Sequence, residues 1–537
     1  MKKKETIKIK QKNEQGITLV ALVITIVILI ILATVTINVA FGDGGIIDQA
    51  KLAAEKTANS IYDEEASIAN LTAYLNENMG EIVPPEEPED TEPPVISSFT
   101  ETEVTANSIT VSVVATDNSG GALIYEYRKG SESFTEGGTT YQYTGLTAET
   151  EYTLEVKVTD EVGLSDTETI TVSTAPPVPA EWDLSKVTPA LSDDKKWVPV
   201  PKGFTASEAT GEKEVNKGFV IYQGEDPVND GNVATAQESR NQFVWIPVDE
   251  ESLNNMYQIS TATLSQSTHG ETTTTTSVYS KQRWTTSGGA PGSSPSFREP
   301  DILTNTDYGD ASTDSGVGIN LLKSELGYIG TNDVILKNFA QDMVNEYEAV
   351  YESVKKYEGF YIGRYELTGS KTSPTVQRKK AVLTAASSGA NTWYGLKKAC
   401  SSVVSTNEVQ SIMIYGNMWD ETMQWLIDTG AKKEPEITDD STSWGNYPDS
   451  SGNAAIEGKS GSPQESGYSD YWCANNVYDL AGNYYDWTQE ARYAYNRVHR
   501  GGSYEYSGSS YPASHRGYKD PDFPGSSISS RPALYIK

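Results

Sequence analysis

Three histidines and two cysteines are the only imidazole and thiol groups in this chain. His269 sits in a Ser/Thr/Gly-rich stretch, and His499 and His515 stand 16 residues apart, a spacing that matches no metal-ligand motif. A surface or hydrogen-bonding role accounts for all three. Cys400 and Cys473 could close one disulfide outside the cytosol or remain two free buried thiols, and the sequence leaves both open. There is no Ser/His/Asp arrangement, no phosphate-cradling glycine loop and no HExxH. With 74 Asp and Glu, any pair of carboxylates is expected by chance. Asp479, Asn483 and Asp486 offer oxygen ligands for calcium, the one cofactor the sequence suggests, and hydrogen bonding within a turn is the other use of the same groups. No catalytic residue is assigned.

What is abundant is contact chemistry. Residues 503–530 are dense in Tyr, Ser and Gly, the composition of an antibody paratope. Tyr covers much area while ordering few torsions, so it binds at low entropic cost. The candidate ligand-binding residues are Tyr504, Tyr506, Ser507, Ser509, Ser510, Tyr511, His515, Tyr518, Asp520, Asp522 and Phe523. Pro512, Arg516, Arg531 and Pro532 look like scaffold.

The elements that must carry such a face begin with a basic segment, "MKKKETIKIKQKNEQ". The chain's formal net charge is −32, and these 15 residues contribute +4, so the remainder carries −36. A field of that sign repels phosphate backbones and excludes nucleic acid as a partner. Residues 16–42 hold no charge. About 24 helical residues at ~1.5 Å each span a bilayer core. The flanking lysines put the N-terminal side in the cytoplasm and the rest outside. The stretch resembles a type IV prepilin leader, with cleavage implied between Gly16 and Ile17. Ala21 stands where that family has a glutamate that aids assembly, so the resemblance implies a pseudopilin-like or anchored surface protein as readily as a pilus subunit. The leader's style is that of a Gram-positive bacterium. Residues 17–80 read as a transmembrane and pilin-like helix whose loose stripe includes Ile46, Ala50, Ala53, Ile61, Ile68, Leu71 and Leu75. The membrane is a partner through residues 17–41, and pilus or pseudopilus subunits are others the resemblance implies.

Residues 81–94, "EIVPPEEPEDTEPP", form a stiff, self-repelling linker. Residues 95–177 show short alternating strands ("SITVSVVATD", "LIYEYRKG", "TYQYTGL", "EYTLEVKVTD"), the pattern of a β-sandwich. "GLTAETEYTLEVKV" resembles the tyrosine-corner segment of fibronectin type III domains, with Leu146 and Tyr152 in the matching places; Val113 or Val114 stands near the usual Trp. An Ig-like or fibronectin III-like spacer is expected.

Every Trp lies beyond residue 180. Residues 183–537 mix strand and turn segments with two helical stretches, "TWYGLKKACSSVV" and "NMWDETMQWLIDTG", and carry a low-complexity insertion at 258–297, expected on the surface. "VYDLAGNYYDW" followed by "RVHRGGSY", with "FVWIPVD", "FYIGRYELT" and the closing "SRPAL", closely resembles the formylglycine-generating, or sulfatase-modifying-factor, variant of the C-type lectin fold. In those enzymes two cysteines bind copper; the matching positions here are Tyr506 and Tyr511, which implies that the chain is not an enzyme. The ending also resembles the variable proteins of diversity-generating retroelements. The codons such systems produce encode Tyr, Ser, Gly, His, Asp, Phe and Ile but never Glu, Gln, Lys, Met or Trp. Between 504 and 530 that excluded set appears only as Glu505 and Lys519.

The expected fold is thus multidomain: an N-terminal helix, a sandwich, and an α+β lectin-like head. The expected function is ligand binding at a bacterial cell surface, with an extracellular protein or glycan as partner. A metal-dependent oxidoreductase of the formylglycine-generating type and a structural pilin or pseudopilin are the alternatives.

Overall fold

The computed structural model describes residues 68–71, 73, 74, 77, 90–257, 259–268, 271–280, 318–386, 392–450, 461–491 and 496–537. The leader with Gly16 and Ile17, the apolar run 17–41, most of the linker, and His269 lie outside these residues. Two compact units divide the chain at Glu92 and Pro93. In the first, residues 68–71 are helical and Ile68 and Leu71 are exposed. Among the described residues no helix is long and apolar enough to cross a membrane.

The second unit opens with a β-sandwich. Its strands are β1 (Val95–Val104), β2 (Ser108–Thr116), β3 (Ile124–Lys129), β4 (Thr135–Gly137), β5 (Thr140–Thr144), β6 (Glu151–Thr159) and β7 (Ser165–Ser173). They form a three-stranded sheet, β1-β2-β5, facing a four-stranded sheet, β4-β3-β6-β7. Alternation explains the pairing of faces. Ile109, Val111 and Val113 of β2 and Leu154, Val156 and Val158 of β6 point inward, and the residues between them face outward or lie at the rim. Val113 therefore fills the core while Val114 is exposed. The Thr147 N–H donates to the Tyr152 hydroxyl at 2.8 Å, tying the turn before β6 to the strand that follows.

The α+β head is built on a six-stranded sheet. Its strands are β8 (Phe204–Ala206), β9 (Val220–Gln223), β10 (Gln242–Pro247), β11 (Gly359–Gly363), β12 (Val409–Met413) and, from the far end of the chain, Pro532–Ile536. That last strand lies between β11 and β12 and pairs with both. The central strands are buried along almost their whole length because both faces of the sheet are covered. Phe243, Trp245 and Tyr361 enter one core; their neighbours Val244, Ile246, Phe360 and Ile362 enter a second. Helix α1 (Asn332–Tyr357) feeds both cores. Ile335, Leu336, Phe339 and Met343 join the first, and Tyr347, Val350 and Val354 join the second. Helix α2 (Trp393–Ser402) packs into the first core and α3 (Gly416–Asp428) into the second. Within the insertion, Thr- and Ser-rich strands Ile259–Thr268 and Glu271–Ser280 pair as an antiparallel hairpin.

One side chain joins sandwich and head. Trp197 packs against the sandwich core and the first head core alike, and its Nε1 donates to the Pro176 carbonyl at 2.6 Å. Trp197→Ala removes both the wedge and the hydrogen bond. Limited proteolysis should then cut the connecting segment around residues 176–182 roughly tenfold faster or more, while the circular dichroism of sandwich and head stays unchanged.

Candidate ligand-binding face

The candidate residues are displayed from a second, smaller sheet. Its strands are β13 (Tyr485–Ala491), β14 (Arg497–Arg500), β15 (Arg516–Lys519) and β16 (Ile528–Ser530), in the order β15-β14-β13-β16, with β13 and β16 parallel and the other pairs antiparallel. The pairings Trp487↔His499↔Gly517 put these residues on one face, and Asp486↔Arg500↔Arg516 put theirs on the other.

The second face is held by charge. Arg500 and Arg516 sit directly opposite each other, which for like charges is repulsive. Asp420 of α3 and Glu490 of β13 intervene. Arg516 donates from Nε to both Glu490 oxygens at 2.9 and 3.1 Å, and its Nη2 pairs with Asp420. Arg500 reaches the other Asp420 oxygen at 2.6 Å and donates to the carbonyls of Ser514 and His515 at 3.2 and 3.1 Å. All four side chains are buried. Burial alone would raise the Asp420 pKa, but Arg516 and Arg500 hold the carboxyl below its usual range. A few residues away, Arg531 pairs with Asp486 at 3.1 Å and donates to the carbonyls of Gly363, Tyr478 and Asp479.

The first face is aromatic. Tyr485 packs on His499 at 4.3 Å between ring centroids, and Trp487 lies at 5.5 Å from the same imidazole. Above them the loop 503–515 folds back. Tyr506 and Tyr511 are in contact at 4.8 Å, Tyr511 meets His515 at 4.6 Å, and both tyrosines approach Tyr485. Gly502, with φ at +74°, is what lets the loop turn so tightly, since a Cβ there would lie 2.2 Å from the Tyr511 carbonyl oxygen. Asp449 anchors the loop's tip, accepting from the Ser507 hydroxyl at 2.5 Å and the Gly508 N–H at 3.1 Å.

None of the eleven candidate residues is buried. Tyr506 is 45% exposed and Phe523 40%. Tyr504, Tyr511 and His515 are half-buried, as is Ser507, and Ser509 and Ser510 are exposed. Tyr504 packs edge-on to Tyr484. Asp520 accepts from Asn496, Asp522 is exposed beside it, and Lys519 stands over the Phe523 ring. Pro512, Arg516, Arg531 and Pro532 are buried. The set is not a single patch. Strand alternation places Tyr518 with Arg516, on the face opposite Gly517 and Lys519, so Tyr518 is separated from the Tyr506–Tyr511–His515 cluster.

The chemistry-bearing groups each follow one of the alternatives the sequence left open. Cys400 and Cys473 are free thiols, so the disulfide alternative is not the one the fold adopts. Burial pushes each thiol up to about 12. Asp479, Asn483 and Asp486 each take protein partners. Asp479 accepts from Ser466 and Gly467. The Asn483 carbonyl accepts from Asn446 and Gln464, and its amide donates to Glu366. Asp486 is committed to Arg531. Gly482 completes this turn with φ at +71°, where a Cβ would meet the Asn446 carbonyl oxygen at 2.3 Å. Sequence reading missed the two acids, Asp420 and Glu490, that hold the frame. The only available signal was an Asp between the Trp and Met residues of "NMWDETMQWL".

No family model matches the chain, and no curated protein does. Among solved structures, a chitinase from Bacillus thuringiensis, ChiA74, is 22% identical over 28% of this chain and 19% of that one, with a TM-score of 0.16. The PKD1 domain of Vibrio anguillarum Epp is 22% identical over 16% of this chain and 100% of that one, with a TM-score of 0.15. Treponema denticola variable protein 1 is 12% identical over 55% of this chain and 95% of that one, with a TM-score of 0.18.

Two outcomes are expected from the frame. Asp420→Ala leaves Arg500 and Arg516 facing each other without their shared acid, and chemical denaturation should show a loss of about 3–5 kcal/mol. His499 is the second. Burial first, then His515 and Lys519, depress its pKa well below 6.5, so the folded state keeps it neutral while the unfolded chain takes a proton. Its contribution is present above pH ~6.5 and is lost as pH falls below it, at up to ~1.4 kcal/mol per pH unit. The wild-type stability curve should therefore drop below pH ~6.5 more steeply than that of His499→Phe.

Proposed function

We propose that this chain is a binding protein displayed outside a bacterial cell, whose head grips a macromolecular partner, protein or glycan, through the ring cluster Tyr506–Tyr511–His515 and the hydroxyls around it. The observation that carries the reading is the pairing of this half-open aromatic cluster with a frame held by fully buried charge. Rigid aromatic area flanked by adaptable Ser hydroxyls is the chemistry of recognition, and pre-ordering the loop lowers the entropy lost on binding. Lys519, Asp520, Asp522 and Phe523 form the polar and apolar margin of the same surface.

Anchoring through residues 17–41, after cleavage between Gly16 and Ile17, belongs to the same reading, with the linker and sandwich holding the head away from the membrane. Residues 503–530 suit a stretch that varies among copies, because the buried frame residues Pro512, Arg516, Arg531 and Pro532 interrupt or follow the exposed ones. The oxidoreductase alternative finds little to rest on. At the positions where thiolates would bind copper, two tyrosine rings touch, and the thiols, Cys400 buried and Cys473 half-buried, are held protonated.

The test is capture of surface proteins and glycans by the full chain on an array. Tyr506→Ala/Tyr511→Ala should weaken the strongest captured interaction by roughly 30-fold or more, as loss of paired aromatic anchors does. Tyr518→Ala, on the opposite face, should change it little. Binding that survives the double substitution, or that is lost only with Tyr518, would place the site elsewhere.

A further inference from the structure

Two carboxylates in the sandwich approach each other, and each leaves one oxygen without a partner among the described residues. Asp160 follows β6 and is 3% exposed. Its Oδ1 accepts the N–H groups of Val162, Gly163 and Leu164 at 2.9, 2.7 and 2.8 Å, which builds the turn into β7. Its Oδ2 is buried and has no hydrogen-bond partner. Asp117 follows β2 in the same way. Its Oδ2 accepts from the Ser119 N–H at 2.9 Å and from the Ser119 hydroxyl, and its Oδ1 is likewise buried without a partner. A carboxylate oxygen of each lies within 4.8 Å of the other's. None of the described Lys or Arg residues pairs with either acid; the sandwich's ion pairs are Arg128–Glu155, Lys129–Glu132 and Lys157–Glu126.

We propose that Asp117 and Asp160 are two ligands of a calcium ion bound at the end of the sandwich where the chain enters it. Each acid uses one oxygen to shape its own loop and leaves the other turned away from every donor. A buried anionic oxygen without a donor is costly, and a second carboxylate close by adds repulsion. A divalent cation removes both penalties. The irregular donor set, two carboxylates from separate turns, suits calcium, which accepts a flexible geometry at ~2.4 Å, better than magnesium, which demands an octahedron at ~2.1 Å. Water and neighbouring carbonyls complete a shell of six to eight oxygens, the number calcium takes.

The location gives the ion a task. Val95, the first residue of β1, pairs with Thr116, the residue before Asp117, and the Ile96 N–H donates to Asp166, one residue into β7. The ion would cross-link the β2 and β6 ends at that pole and stiffen the entry of the chain into the domain. With only two anionic ligands, affinity belongs in the ~10⁻⁴–10⁻³ M range of extracellular modules, so the site fills outside the cell and empties in the cytosol.

The experiment uses the full chain, stripped with chelator and unfolded by heat in calcium chloride, in magnesium chloride and in neither. Calcium at about 10 mM, well above that range, should raise the sandwich transition by on the order of 5 °C, and magnesium should raise it much less. Asp160→Asn and Asp117→Asn keep the oxygen that accepts from the loop and remove the charge. Both should abolish the calcium effect and unfold, without calcium, no lower than the parent chain. Three results overturn the proposal: no calcium effect on the parent, an equal effect of magnesium, or a calcium effect that persists in both variants. If Asp160→Asn fails to fold, Asp117→Asn alone decides, since its side chain shapes only the Asp117–Ser119 bend.

Discussion

Two arginines that face each other across adjacent strands set the terms for the head. Arg500 and Arg516 would repel, and they are buried where no water screens them. Asp420 and Glu490 make the arrangement stable, and between them they connect α3, β13, β14 and β15. The arrangement also fixes register. A one-residue slip of β15 would turn Arg516 toward the aromatic face, taking its close partner from Glu490 and leaving Asp420 to Arg500 alone. Because Arg500 also holds the carbonyls of Ser514 and His515, the constraint reaches the loop that carries Tyr511. Charge on one face of the small sheet thus orders aromatic contact on the other.

That division of labour explains why the head has so little reactive chemistry. His499 and Cys400 are spent on packing: His499 as a neutral ring between Tyr485 and Gly517, and Cys400 against Ser530 in the first core. The groups left at the surface of the loop are hydroxyls, rings and a few charges, all suited to complementary contact.

The sandwich was the most legible part of the sequence, because β2, β3, β5 and β6 alternate cleanly between core and solvent. β1 and β7 were harder: β7 reads "SDTETITVS" and buries a single side chain, Val172. In the head, α2 and α3 were visible as compact Trp-bearing segments. The 26-residue α1 was passed over although Ile335, Phe339, Met343, Tyr347, Val350 and Val354 recur at three- and four-residue steps. Its stripe is split between two cores, so no single long apolar run announces it. Composition was enough to single out the candidate contact residues between 504 and 523, none of which is buried, and to set Arg516 and Arg531, which are buried, aside as scaffold. Division of the set into two faces was not, because it follows from the β14–β15 pairing, which composition does not encode. The acids that neutralise Arg500 and Arg516 were invisible for the same reason: one comes from a helix 80 residues earlier.

The strand Pro532–Ile536 joins the edge strand β12 to the rest of the six-stranded sheet, and everything between 503 and 530 is translated before it. A ribosome must therefore read the whole exposed loop in frame before the sheet has all its strands. A stop or a frameshift inside that loop cannot yield a truncated but presentable head, because β11 and β12 would be left with unpaired backbone and two open cores. Such products would go to proteases instead of the cell exterior. The topology works as a quality check on the message, admitting substitutions in the loop while rejecting its interruption.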